Sequence, residues 1–193
     1  MNRTPRGLAR TWWALALVGG GACARGGSGH DAGLPPEKVA DYVHAVIAAD
    51  RATYAEEVVH RLQDVEKVVR ATEQFKEEKG LPLPSQMLRM GAQRAAKTGG
   101  FRYALISAWA INKANMPRTD FETRGLAAVA KTPDAPYRST EELGGKRYFM
   151  SLYPDVAVSE ACVKCHNGHA ESPRKDFKLN DVMGGVVVAL PVD

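Results

Sequence analysis

Two cysteines separated by two residues and followed directly by a histidine, Cys162-Val163-Lys164-Cys165-His166, constrain this chain more than any other feature. In c-type cytochromes, two thiols at this spacing form thioethers to the vinyl groups of one haem, and the next histidine ligates the iron. One turn of backbone brings both sulfurs to one haem edge. The motif therefore predicts one covalently attached haem c, with Cys162 and Cys165 as attachment points and His166 as the proximal iron ligand.

Three other uses of the motif stay open beside haem attachment. A thioredoxin-type redox pair has the same spacing, but it needs a helix start after a strand inside a βαβ unit, which is not expected here. A zinc site would need further soft ligands, and only His169 is near. A disulfide between Cys162 and Cys165 would be strained. Haem attachment is favoured over all three.

Residues 1–24 have the three-part layout of a secretory signal. Three arginines precede an apolar stretch at 12–18, and small residues follow up to Ala24. That stretch is too short to span a membrane. Cleavage after Ala24 is favoured, with a lipid anchor on Cys23 or an uncleaved anchor as alternatives. Each alternative places the domain in the periplasm, which is where haem attachment takes place in bacteria.

The charge of the chain argues against a nucleic-acid partner. The formal net charge is +4, but three of the positive charges lie in residues 1–24, so the remainder is nearly neutral. The 193 residues, 45% of them hydrophobic and 25% charged, are enough for one globular domain and exclude a multidomain enzyme. We expect a haem domain over residues 37–193.

A long helix is predicted at the start of this domain. Residues 25–36 are rich in glycine and end in two prolines, which indicates a flexible tether. Residues 37–79 contain no proline or glycine, and apolar side chains recur at helical spacing, as at Val58, Leu62 and Val65. The segment is one long helix or two stacked helices. Its apolar stripe packs on the core or, as an alternative, forms a homodimer.

The remainder of the chain alternates short helices with strands. The predicted helices run from Ser85 to about Lys97 and from a cap at Thr119, with Glu122 in the capping-box position. Strands are predicted over 101–111, 146–152 and 186–190, with a polar connection over 133–145. This order predicts an α+β fold around an antiparallel sheet.

The sixth iron ligand stays open between methionine, histidine and water. Met87 and Met90 share one helix face, so one could ligate the iron while the other packs on the porphyrin, and we prefer this pair. His44 and His60 lie about 160° apart around a helix and are interpreted as solvated. His169 is expected to support His166 or to contact a haem propionate. The other candidates are Met116, Met150 and Met183.

Several segments resemble a known family, the Tll-like single-haem c-type domains of PAS-like fold, over about residues 40–192. They are residues 81–90, 107–112, 121–122, 148–149, 162–167, 172–173, 176–177 and 181–185. The resemblance implies a PAS-like antiparallel sheet with flanking helices, a covalent haem near the C-terminal end, and periplasmic sensing or electron transfer. Some relatives ligate iron with a distal cysteine. This sequence has none between Cys23 and Cys162, which favours Met87 or Met90.

Three functions follow from these observations. The leading one is one-electron transfer or redox reporting with a redox partner protein, and the basic pair Arg174-Lys175 would suit an acidic partner or is a solvated loop. The second is a gas or redox sensor that works with a separate partner, because no transmitter follows Asp193. The third, least favoured, is a haem peroxidase that would require Arg89 to point inward. A non-enzymatic role is expected.

Overall fold

A four-stranded antiparallel sheet forms the centre of the computed structural model, which describes residues 33–192. Its strands are β3 (Arg102–Ile106), β4 (Tyr137–Leu143), β5 (Lys146–Val156) and β6 (Val182–Pro191), in the order β3-β6-β5-β4. The predicted α+β class and antiparallel sheet are confirmed. The predicted signal at 1–24, Cys23 and most of the tether lie outside the described residues.

The long N-terminal helix is confirmed, but it is shorter than predicted. Helix α1 (Pro36–Thr53) continues into the π-helical segment Tyr54–Val65, in which backbone hydrogen bonds span five residues. The prediction of helix over residues 66–79 is wrong. The chain turns at Lys67, which takes the left-handed φ of 56°, and the Gln63 side chain then accepts a hydrogen bond from a backbone N–H of the returning chain.

Two short parallel strands, β1 (Ala71–Thr72) and β2 (Leu81–Pro82), precede helix α2 (Pro84–Thr98). A proline is favoured at the first helical position because the N–H it lacks would have no partner there. Helix α3 (Asp120–Lys131) has the predicted capping box: the Glu122 N–H donates to Thr119 Oγ1 at 3.1 Å, and the Thr119 N–H donates to the Glu122 carboxylate.

Two strand predictions need correction. The strand predicted over 101–111 ends at Ile106, because the Ser107 hydroxyl donates to the Met183 carbonyl at 2.6 Å and accepts from the Trp109 N–H, which turns the chain. The polar connection predicted over 133–145 is mostly strand β4. This edge strand alternates exposed and half-buried residues, so its polar composition suits a sheet edge open to water. The predicted turn at Gly144-Gly145 is present.

The sheet separates two hydrophobic cores. Phe149 and Tyr153 of β5 point to the side covered by α1, whereas Met150 and Leu152 point to the side covered by α3. Because β3 and β5 both end where β6 begins, their following loops and helix α4 (Glu160–Gly168) lie at one end of the sheet. None of the helices described in residues 33–192 is both long and apolar enough to cross a bilayer.

Candidate haem site

Helix α4 carries the cysteine motif and is tied to the end of the sheet. Ala157, just before the helix, donates its N–H to the Asp181 carbonyl and accepts from the Asn180 N–H, both at 2.9 Å. Cys162 and Val163 are half-buried against a small core that contains Ala157. The Cys162 sulfur lies 3.2 Å from the Ser159 hydroxyl. The first cysteine is therefore fixed against the domain, while Cys165 is exposed.

All three predicted haem residues lie on one side of α4. Cys162, Cys165 and His166 stand at positions i, i+3 and i+4, which are neighbours on a helix surface. Both thiols are free. Although Cys165 is exposed, partial desolvation by the surrounding atoms, helped by the neighbouring Cys162, raises the pKa of its thiol. The donor set that a c-type haem requires, two free thiols and an imidazole on one helical face, is present.

The His166 imidazole is held by ring packing and lacks a hydrogen bond at one nitrogen. Its ring meets the Phe177 ring edge-on, with centroids 6.0 Å apart, and its Nδ1 atom is buried without a partner. Burial lowers the pKa of His166, so the neutral form dominates. Neutral imidazole is the form that ligates metal ions. These features fit a ligand role for His166.

Phe177 forms a platform beneath this imidazole. It is 3% exposed. The Asn167 side chain fixes its backbone with two hydrogen bonds, donating to the Phe177 carbonyl at 2.9 Å and accepting from its N–H at 3.0 Å. The Trp109 ring also meets the Phe177 ring edge-on, with centroids 5.8 Å apart. Sequence reasoning did not assign roles to these residues, although the resemblance covered segments that contain all three.

Arg174 completes the platform through contacts within the domain. Its guanidinium stacks 4.3 Å from the Phe177 ring and 4.9 Å from the Trp109 ring. The same group pairs with Asp176 at 2.7 Å and with Asp181 at 3.0 Å. The charge of Arg174 is thus used inside the domain, whereas Lys175 is exposed.

An ion pair joins α1 to the strand that leads into α4. The Arg51 guanidinium donates to the Asp155 carboxylate, and the two side chains are 27% and 16% exposed. Burial lowers the pKa of Arg51, but the Asp155 carboxylate and, to a smaller extent, the Cys162 sulfur together raise it by more. The net effect is a raised pKa. Arg51 and Asp155 also act on the pKa of His166, in opposite directions. The pair therefore lies beside the motif.

His44 is not solvated, so that prediction is wrong. Its ring stacks on the Tyr153 ring with centroids 3.9 Å apart and an angle of 4° between the planes. Burial lowers the pKa of His44, against the opposing effect of Asp155. The helix-wheel argument could not find this contact, because it needs the strand that α1 packs on. His60 is exposed as predicted and pairs with Asp64 at 3.0 Å.

The start of α4 shares one feature with thioredoxin-type pairs that the sequence did not predict. Cys162 lies in the first turn of a helix that directly follows a strand. However, β5 and β6, on either side of α4, pair antiparallel, so the helix does not belong to a βαβ unit. Within residues 33–192, no three His, Cys, Asp or Glu side chains are close enough to hold a metal ion between them.

A family model described as Tll0287-like matches residues 36–191. The chain belongs to the Tll0287-like family. Among solved structures, that of the cyanobacterial haem protein Tll0287 has a similar fold, with a TM-score of 0.54 and 15% identity. The similarity covers 83% of this chain and 98% of Tll0287. No curated protein matches the chain significantly. The PAS-like family recognised in the sequence is therefore confirmed.

In this member of the Tll0287-like family, the methionines named as sixth-ligand candidates occupy different environments. Met150 and Met183 are buried, and Met183 packs beneath α4. Met116 is 41% exposed and lines a groove of about 750 Å³ with residues of the loop after β3 and with Pro173. Met87 and Met90 are half-buried on α2, which packs chiefly on β3 and α1. Their role as iron ligands stays a prediction.

Two further residues were candidates for haem chemistry, His169 and Arg89. His169 follows α4 directly, is half-buried, and accepts a hydrogen bond at Nδ1 from the Glu171 N–H at 3.2 Å. This bond leaves the other ring nitrogen for a propionate or a solvent contact. Arg89, required for peroxidase chemistry, is half-buried on α2 between the two methionines.

Proposed function

We propose that this chain is an exported cytochrome with one haem c that transfers single electrons or reports redox state in the periplasm. The observation that carries the proposal is the set of two free thiols and one imidazole on the same side of α4, with a buried imidazole nitrogen that has no protein partner. The fold shared with a cyanobacterial haem protein supports it. The secretory layout of residues 1–24 also supports it.

Five residues on and near α4 have separate tasks in this proposal. Cys162 and Cys165 attach the haem through thioethers, and His166 ligates the iron. Phe177 sets the orientation of the imidazole through the edge-on contact, and Asn167 holds Phe177 in place. When bound, the haem supplies a one-electron couple. The second iron ligand and the burial of the site would set the potential of that couple.

A sensor role is the second candidate, and one specific contact favours it. The ion pair between Arg51 and Asp155 connects the neighbourhood of α4 to α1, which is the longest helix of the described chain. A change of charge or ligand at the iron could therefore alter the position of α1. The sensor role requires a separate partner to read that change, whereas electron transfer requires only a redox partner.

Absorption spectra distinguish these functions. The periplasmically matured protein is measured oxidised and reduced, with and without carbon monoxide. Sharp low-spin bands, a weak long-wavelength band from ferric haem ligated by methionine, and no response to carbon monoxide are expected for the electron carrier. Rapid carbon monoxide binding would contradict this role and favour the sensor.

Matched methionine variants then assign the sixth ligand. Met87→Leu or Met90→Leu is expected to abolish the long-wavelength band, because leucine keeps the volume and removes the thioether. Met116→Leu, on the groove, serves as the control. Loss of the band only in the control would move the assignment to Met116.

A further inference from the structure

A second pocket, separate from the residues assigned to haem, lies beside the small parallel sheet β1–β2. It has a volume of about 520 Å³. We call it the basic pocket and define it by Lys67, Arg70, Thr72, Glu78 and Lys79, which line it together with Gly80 and two valines. The pocket forms where the chain turns after α1 and returns to α2.

The basic pocket has an excess of positive charge. Three exposed cations, Lys67, Arg70 and Lys79, line it together with one acidic residue, Glu78. None of these three cations forms an ion pair with another residue of the described range 33–192. Like charges in one pocket repel each other, and an anion between them would relieve this repulsion. Arginine also offers a planar pair of donors that fits carboxylate and phosphate.

An unpaired hydroxyl gives an independent indication of a ligand. Thr72 lines the pocket, and its Oγ1 atom is buried without a hydrogen-bond partner. Within residues 33–192, it is one of two buried side-chain polar atoms in this state, and the other belongs to His166. Buried polar groups in folded proteins almost always have partners. A hydroxyl can donate to an oxyanion, which would satisfy Thr72.

The backbone around the pocket adopts conformations that are unfavourable for these residue types. Lys67 and Lys79 have left-handed φ values of 56° and 53°. At Gly80, a Cβ atom would lie 2.7 Å from the Arg70 carbonyl oxygen, so only glycine allows this close approach. These two turns bring Lys67, Arg70 and Lys79 to the same pocket.

We propose that the basic pocket binds a small oxyanion, a carboxylate or a phosphate, through Arg70, Lys67, Lys79 and the Thr72 hydroxyl. The oxyanion has two sources. It is free in solution, or it is a carboxylate of a group that the protein carries, namely a haem propionate. The second source rests on the proposed function, whereas the first does not.

The first experiment titrates the mature, haem-loaded protein with inorganic phosphate at constant ionic strength and follows backbone amide signals by NMR. Saturable shifts confined to the residues around the pocket are expected. Arg70→Gln should weaken binding roughly tenfold, because a charge-assisted hydrogen bond is lost. Thr72→Val, which keeps the shape of the side chain, should weaken it several-fold. Arg94→Gln, an exposed arginine outside the pocket, is the control and should bind as the wild type does.

The second experiment identifies the source. If the wild type does not bind phosphate, but Arg70→Gln and Lys79→Gln shift the reduction potential of the haem while Arg94→Gln does not, the oxyanion is a propionate. If phosphate does not bind and the potentials are unchanged, the proposal is overturned. It is also overturned if Arg94→Gln weakens phosphate binding as much as Arg70→Gln does. If the matured protein carries no haem and still binds phosphate, the pocket is supported and the proposed function is contradicted.

Discussion

The ion pair between Arg51 and Asp155 should make a measurable contribution to stability, because it joins α1 to the sheet beside the haem motif. Removing one member of a fully buried pair costs roughly 3–5 kcal/mol, whereas an exposed pair contributes at most about 1 kcal/mol. The two side chains are 27% and 16% exposed, which is between these limits. After a discount for solvent screening, we expect a coupling free energy of about 1–3 kcal/mol.

A double-mutant cycle measures this coupling. The wild type, Arg51→Met, Asp155→Asn and the double variant are unfolded with urea at one pH and followed by circular dichroism. The exposed pair Arg124–Glu141, at 3.2 Å, provides a second cycle as the control, with an expected coupling below about 1 kcal/mol. If the coupling of Arg51 and Asp155 is no larger than that of the control pair, the reasoning is wrong and α1 is not fastened by this pair.

Three other predictions concern the fold around the site. The Tyr153 hydroxyl, together with Arg138, lowers the pKa of Asp41. The ionised Asp41 side chain therefore stabilises the fold above its unfolded pKa of about 3.9, and this stabilisation is lost as pH falls through the lower folded pKa. In Asp41→Asn, the free energy of unfolding measured with urea should therefore depend less on pH below that value. Thr119→Ala should cost about 1 kcal/mol in urea unfolding, because the cap of α3 is lost; an unchanged midpoint would contradict the capping role. A Cβ at Gly184 would lie 2.4 Å from a β3 carbonyl oxygen, so Gly184→Ala should lower stability by roughly 1–3 kcal/mol, whereas Gly168→Ala, which meets nothing within 4 Å, should not.

Local signals in the sequence predicted the elements that depend on neighbouring residues. The two prolines before residue 37 mark the start of α1, and the Thr119 capping box marks the start of α3, because both act within one helical turn. The turn at Gly144-Gly145 and the continuous apolar run at 186–190 also indicated β5 and β6, although both strands are longer than predicted. The cysteine motif is placed on one helical face, as its spacing requires.

Features that depend on distant contacts could not be predicted. The end of the π-helical segment at Val65 depends on the Gln63 side chain, which accepts a hydrogen bond from the backbone of a residue eight positions later. The stacking of His44 on Tyr153 needs the register of β5 against α1. Strand β4 has too little apolar character to be recognised, because one of its faces and one of its edges are open to water.

The platform formed by Phe177, Trp109 and Arg174 depends on distant contacts in the same way. Phe177, Trp109 and Arg174 come together only when the loop after β3 meets the segment between α4 and β6. In the sequence, these residues lie in two polar loops, each of which contains a single aromatic residue. The resemblance to the Tll-like family covered these loops, but periodicity and propensity did not point to them.

Covalent haem attachment is the central claim, and haem staining after denaturing electrophoresis, together with the pyridine haemochrome spectrum, tests it most directly. The account predicts that the mature wild type keeps its stain and shows the spectrum of a haem with two thioethers. Cys162→Ser and Cys165→Ser should each lose this normal attachment, while His169→Ala, next to α4, should keep it. An unchanged stain and spectrum in the two cysteine variants would contradict the account.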